Sequence, residues 1–166
     1  MAKKLPTLII DSRERQPLDI SDDPDFEGSI TQKLDAGDYS LVGLESIIAI
    51  ERKASCDELW MNLSSKRGRE RLKREMERFK KIKHRFIIVE QDYGEIVDPS
   101  SYYVNKAGRN KFSPYMPVSV IMRELIDYMT SFDVHVIFAG TKARSLIKKI
   151  LLQVYKNHDP DTEISS

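Results

Sequence analysis

The stretch that decides the fold reads Gly37-Asp38-Tyr39-Ser40-Leu41-Val42, then Gly43-Leu44-Glu45-Ser46, then Ile47-Ile48-Ala49-Ile50-Glu51-Arg52-Lys53. Two β-favouring runs flank a short turn, which is the pattern of a hairpin. With the centre of the turn between Leu44 and Glu45, antiparallel pairing sets Asp38 opposite Glu51. Opposed residues have Cβ atoms about 4.5–5.5 Å apart on one face of a sheet. Lys53, two residues beyond Glu51, points to that same face. Facing carboxylates repel each other unless a cation lies between them. Oxygen ligands of this kind suit Mg²⁺, which accepts one or two carboxylates together with waters and substrate phosphate. A surface hairpin with a Lys–Glu pair and an exposed Asp is the plainer reading of the same residues.

Upstream, Thr7-Leu8-Ile9-Ile10-Asp11 reads as a buried strand ending in a carboxylate. Gln16 to Gly28, rich in Asp and Pro, reads as an exposed loop, and Ser29 to Leu34 as a second strand. Downstream the period changes. Leu59, Trp60 and Leu63 give a short helical face with Asp57 as its N-cap, and a helix from Lys66 to Lys83 carries an apolar stripe of Leu72, Met76, Phe79 and Ile82. Arg85 to Glu90 is a strand, Gln91 to Pro117 a long connection, and Val118, Ile121, Met122, Leu125, Ile126 and Met129 recur at the spacing of an amphipathic helix. Val134 to Phe138 is a further strand, and Leu146, Ile147, Ile150, Leu151 and Val154 mark a last helix. Strands first in a meander, then alternating with helices, predict an α/β domain with a central mixed β-sheet flanked by α-helices.

Gly37-Asp38, then Glu51-Arg52-Lys53, then Asp57 after three intervening residues, resembles the GD…ERKxxxD signature of the XPF-type structure-specific DNA endonucleases. Asp11-Ser12-Arg13-Glu14 resembles the upstream DxRE element of the same nuclease domain. The resemblance implies a restriction-endonuclease-like fold over residues 1–157, an acidic tail over 158–166, and cleavage of branched, flap or fork DNA with Mg²⁺ or Mn²⁺. Carried over residue by residue, it makes Asp38 and Glu51 metal ligands, with Asp11 a third carboxylate at the metal or its waters. Lys53 matches the catalytic lysine, which orients or deprotonates the attacking water and offsets charge on the phosphate. Arg13 and Arg52 match arginines that contact phosphate or support the carboxylates; Asp57 divides between an N-cap and a catalytic role, and Glu14 between site support and a solvent salt bridge. Members that cut forks usually carry a tandem helix-hairpin-helix module after this domain. With the chain ending at Ser166, a stand-alone nuclease domain or one piece of a larger assembly is expected.

Composition sets the outer bounds. The chain has 166 residues, 40% hydrophobic and 32% charged, which fits one globular domain and not a disordered one. It has no apolar run of membrane-spanning length, no secretion signal and a single cysteine, Cys56, so an intracellular location is expected. Net charge is +1, yet Lys66 to Arg85 holds eleven Lys and Arg against three Glu, an excess of +8 that leaves about −7 for the rest. Asp19 to Glu27 and Asp159 to Glu163 are acidic. The basic stripe makes Arg67, Arg69, Arg71, Lys73, Arg74 and Arg78 candidates for tracking a DNA backbone, a solvated helix being the alternative. Tyr102, Tyr103, Lys106, Arg109, Lys111, Phe112 and Tyr115 interleave aromatics with cations, as single-strand binders do, although a disordered loop or an added hairpin is the plainer reading. His84, His135 and His158 have no metal-ligand spacing. Partners expected beyond DNA are a second copy or a nuclease-like subunit, met through the last two helices.

Two other readings use the same fold. One is a non-catalytic DNA-binding subunit, disfavoured because Asp38, Glu51 and Lys53 are all present; the other is a resolvase or exonuclease, disfavoured by Arg52 and Asp57.

Overall fold

Six strands form one mixed sheet in the order β2-β1-β3-β4-β5-β6. The computed structural model of the chain describes residues 4–20, 22–55, 58–59, 62–63, 65–94 and 118–158. The strands are β1 Thr7–Asp11, β2 Gly28–Gln32, β3 Tyr39–Leu41, β4 Ile48–Lys53, β5 His84–Val89 and β6 His135–Phe138. The helices are α1 Lys66–Phe79, α2 Val118–Phe132 and α3 Ala143–His158. No helix among the described residues is long and apolar enough to cross a membrane.

The strand β4 shows why the sheet needs helices on both faces. Ile48 and Ile50 pack with Leu8, Ile10, Tyr39 and Ile88 against Ala143, Ile147, Leu151 and Val154 of α3. Ala49, between them, joins Ile87 and Val89 against Leu72, Met76 and Phe79 of α1 and Ile121, Leu125 and Tyr128 of α2. By the two-residue period of a strand, Glu51 and Lys53 continue the row of Ala49, on the α1 side. Both are buried. The sheet thus runs its apolar row out into charge beneath a helix.

β3 and β4 pair antiparallel with Tyr39 opposite Ile50, the register that a turn centred between Leu44 and Glu45 requires. β1 and β3 are likewise antiparallel, whereas β4, β5 and β6 are parallel. The expected opening meander is corrected: β2 runs parallel to β1 and on its outer side. The cause is the connection before it, which is not wholly exposed. Ile20 and Phe26 are buried in the α3-side core, the backbone N–H of Leu18 donates to Tyr39 Oη at 2.9 Å, and Lys148 of α3 bridges Asp23 and Asp25 at 2.6 Å each. Anchored in this way, the chain runs back along the α3 side of the sheet and joins the free edge of β1.

The first long helix stops at Phe79, so the buried Ile82 of the expected stripe packs from the turn after it. Ser65 caps this helix, its hydroxyl accepting from the Gly68 N–H at 3.0 Å. A Cβ on Gly68 would lie 2.2 Å from the Asn62 carbonyl oxygen, so only glycine lets α1 start so close to the preceding segment. Leu59 and Leu63 are buried there as expected, and Ser55 Oγ accepts from the Glu58 N–H at 3.4 Å. Cys56, Asp57 and Trp60, the residues Tyr102 to Tyr115 and the tail Asp159 to Glu163 lie outside the described residues.

Candidate active site

Gly37 starts the site. Its φ of +78° is a backbone conformation that side-chain-bearing residues rarely adopt, and a Cβ there would lie 3.0 Å from the Ile50 carbonyl oxygen. Glycine therefore lets the chain turn against β4, where the Asp38 N–H donates to Ile50 O at 2.8 Å. On the other side the Asp11 N–H donates to Asp38 O at 2.8 Å. Continuing the two registers, Asp11, Asp38 and Glu51 form one row across β1, β3 and β4.

Asp38 Oδ2 accepts the Arg52 backbone N–H at 2.8 Å, and its Oδ1 accepts nothing among the described residues. Burial, reinforced by the charge of Glu51, pushes its pKa up to about 8, against the opposing pull of that N–H and of Lys53. Glu51 is shifted upward too, by burial and by the carboxylate of Glu75, although Lys53 works the other way. Lys53 Nζ lies 2.5 Å from Glu51 Oε1 and 3.7 Å from Glu58 Oε1. Burial alone would favour its neutral form, but Glu51, Glu75 and Glu58 raise its pKa and keep it an ammonium. A cleft of about 320 Å³ opens here, with Arg13, Glu14, Asp38, Glu51, Arg52 and Glu58 in its wall.

Asp11 behaves differently from the other two carboxylates. Its Oδ1 accepts from Arg13 N at 2.8 Å and Arg13 Nε at 2.7 Å, and its Oδ2 from Arg13 Nη2 at 3.0 Å and Leu34 N at 2.7 Å. Burial works to raise its pKa, but these bonds win and hold it below the usual carboxylate range. With four donors already aimed at its two oxygens, Asp11 is a support for Arg13 and the Leu34 loop; direct ligation would need some of those bonds to break.

Arg52 alternates to the other face of β4 from Glu51. Its guanidinium grips Glu90 bidentately at 2.8 and 3.0 Å and donates to Gln16 O at 2.8 Å. Glu14 stands 3.6 Å from the same guanidinium and accepts the Gln16 N–H at 2.8 Å. Arg52 thus borders the cleft while its guanidinium is bound into the scaffold.

Sequence reasoning missed Glu58, Glu75 and Glu90. The signals were present: Ser55 and Glu58 have the spacing of a helix-capping pair, and Glu75 interrupts the apolar stripe between Leu72 and Phe79. Among the described residues no three His, Cys, Asp or Glu side chains gather into a ready-made metal nest. The donor set that remains is Asp38 and Glu51, all oxygen, mutually repelling and both in the wall of the cleft of about 320 Å³. Such a pair fits Mg²⁺ or Mn²⁺, which keep several waters.

The basic helix divides. Arg67, Arg71 and Arg74 line a hollow of about 460 Å³ with Glu58, Asn62 and Ser65, and Glu58 also borders the carboxylate cleft. Arg71 donates to Asn62 Oδ1. Arg69 instead donates to Leu63 O at 2.7 Å and Arg78 to Asp35 O at 2.8 Å, while Lys73 is exposed.

A family model for the ERCC4 domain matches residues 10–146. XPF from Aeropyrum pernix superposes with a TM-score of 0.61 at 21% identity, over 94% of this chain and 68% of that one. XPF from Aeropyrum pernix in complex with DNA gives 0.60 at 22%, over 92% and 66%. The chain spans about two thirds of the length of those structures and shares their restriction-endonuclease-like fold. No curated protein sequence matches it significantly.

Proposed function

Since the chain belongs to the ERCC4 domain family and is an XPF-type nuclease domain, we propose that it is a divalent-metal-dependent endonuclease hydrolysing phosphodiester bonds in branched, flap or fork DNA. The observation that carries this reading is the facing carboxylate pair of half-buried Asp38 and buried Glu51, with Lys53 on the same sheet face, at a cleft that shares Glu58 with the hollow lined by the arginines of α1. Charge of that kind is unfavourable in a metal-free protein and becomes favourable once a cation is bound.

Asp38 and Glu51 would hold Mg²⁺ or Mn²⁺, which supplies Lewis acidity to a phosphoryl oxygen and acidity to a water. Lys53, kept charged by its glutamates, would orient the attacking water and offset the negative charge that builds on the phosphate. Asp11 fixes Arg13 at the cleft wall, and Arg52 fixes the loop that carries Glu14. Asp57 keeps its two readings, an N-cap or a catalytic side chain. The decisive assay presents flap, fork, junction and linear DNA with and without Mg²⁺. Cutting confined to branched DNA with metal is expected; binding without cutting would make the chain a non-catalytic subunit, and attack on linear ends an exonuclease.

The hollow beside the cleft supports a path for the DNA backbone along α1, sequence-independent because phosphates carry no base information. Replacing Arg67 and Arg74 by Ala is expected to weaken binding to all sequences alike and to lower the slope of log K against log salt by roughly 1 to 2, as loss of two phosphate contacts does. Titrations at several salt concentrations check this, and an unchanged slope would turn the helix away from DNA.

A pairing subunit, identical or nuclease-like, would meet α2, where Ile126 and Met129 stand 53% and 44% exposed, whereas α3 buries its apolar face in the sheet's own core. Light scattering at high micromolar concentration is expected to give a dimer mass that Ile126→Glu reduces to a monomer. A monomeric wild type would leave only a different subunit as partner.

A further inference from the structure

On the reading just given, with a divalent cation between Asp38 and Glu51, we propose that Glu75 is a positioning residue: it provides the seat to which the Lys53 ammonium withdraws when a cation takes Glu51. In the metal-free protein Lys53 Nζ is only 2.5 Å from Glu51 Oε1, so the ammonium occupies the flank that a cation must approach. A doubly charged ion beside Glu51 repels it. Lys53 is 4% exposed beneath α1 and has no short way to water, and a buried ammonium is tolerated only where it is paired.

Two other carboxylates surround it. Glu58 is 3.7 Å away, but its side chain is 45% exposed and its Oε2 accepts the Ala54 N–H at 3.2 Å. Glu75 makes no ion pair with Lys53 in the metal-free protein and so is open to receive it. It follows Leu72 by three residues and precedes Phe79 by four, so it belongs to the stripe that α1 turns to the sheet. It is half-buried, whereas Glu70 and Glu77, the other acids of this basic segment, are exposed. Its carboxylate lies against that of Glu51 and acts on both Lys53 and Arg13. Core packing gives no reason for an acid in that stripe; a cation that changes partner does. Seated on Glu75, Lys53 stays charged and within reach of the water and phosphate at the cleft.

The test is a double-mutant cycle on Mn²⁺ affinity, measured by calorimetry with the full chain and no DNA. Glu75→Gln is expected to raise the Mn²⁺ Kd roughly tenfold, because the ammonium then stays on Glu51 and competes with the ion. In a Lys53→Met background the same change is expected to shift Kd less than about twofold, since no competitor remains. Glu75→Asp should restore most of the affinity, and circular dichroism with metal-free melting should show every variant folded. Equal losses in both backgrounds would make Glu75 a direct ligand, and no loss in either would make it a bystander; each overturns the proposal. A wild type that binds no Mn²⁺, or binds it equally well after Asp38→Asn with Glu51→Gln, would instead overturn the metal reading itself.

Discussion

Asp38→Asn is expected to cut no DNA above background, a loss of at least about 10³-fold, while binding DNA at least as tightly as the wild type. The substitution preserves shape and leaves an oxygen for the Arg52 N–H, so the hairpin should be undisturbed. What disappears is half of the charge that holds a cation, together with one of the negative groups that repel phosphate. The same variant carries a stability signature. The carboxyl of Asp38 has a folded pKa of about 8, well above that of an unfolded chain. The folded state therefore binds the proton more tightly, and stability falls as pH rises from about 4 through about 8. Metal-free wild type should lose melting temperature across that window, Asp38→Asn should lose less, and Mg²⁺ should restore the wild type at its alkaline end. A variant that cuts at the wild-type rate would end the assignment of Asp38.

Lys53→Met is expected to slow cleavage by about 10²-fold or more and, unlike Asp38→Asn, to destabilise the metal-free protein. Lys53 is the partner of a buried Glu51 that has Glu75 against it. Removing one member of a buried ion pair costs roughly 3–5 kcal/mol, a loss that Glu51 can reduce by taking up a proton. A divalent cation supplies the missing positive charge, so Mg²⁺ should raise the melting temperature of Lys53→Met more than that of the wild type. Single-turnover kinetics would separate the slow chemical step from metal binding. Equal stability of mutant and wild type without metal would mean that the Lys53–Glu51 pair contributes nothing to the fold.

The hairpin was legible because a turn centre and a two-residue period determine which residues face each other, and Asp38 with Glu51 followed from that alone. The helices were legible from their apolar spacing. The place of β2 was not, since nothing in a strand's own sequence says which edge it will join. That choice rested on Ile20, Phe26, Tyr39 and Lys148, residues far apart in the chain. Asp11 was visible as a carboxylate at a strand end, but its capture by Arg13 and Leu34 depends on a loop conformation that periodicity does not encode. Arg52 and Glu75 were readable in principle. Alternation puts Arg52 across the strand from Glu51, and an acid inside an apolar stripe has to meet something.

The grip of Arg52 has a consequence for how the molecule opens. One guanidinium joins the loop after β1 through Gln16, the strand β4 through its own backbone, and the end of β5 through Glu90. Segments held in common by one multiply bonded group open as a shared unit. The loop bearing Arg13 and Glu14 is thus denied the independent fraying usual for surface connections. The cleft at Asp38 and Glu51 is thereby tied to β4 and β5 by the same side chain that holds its loop.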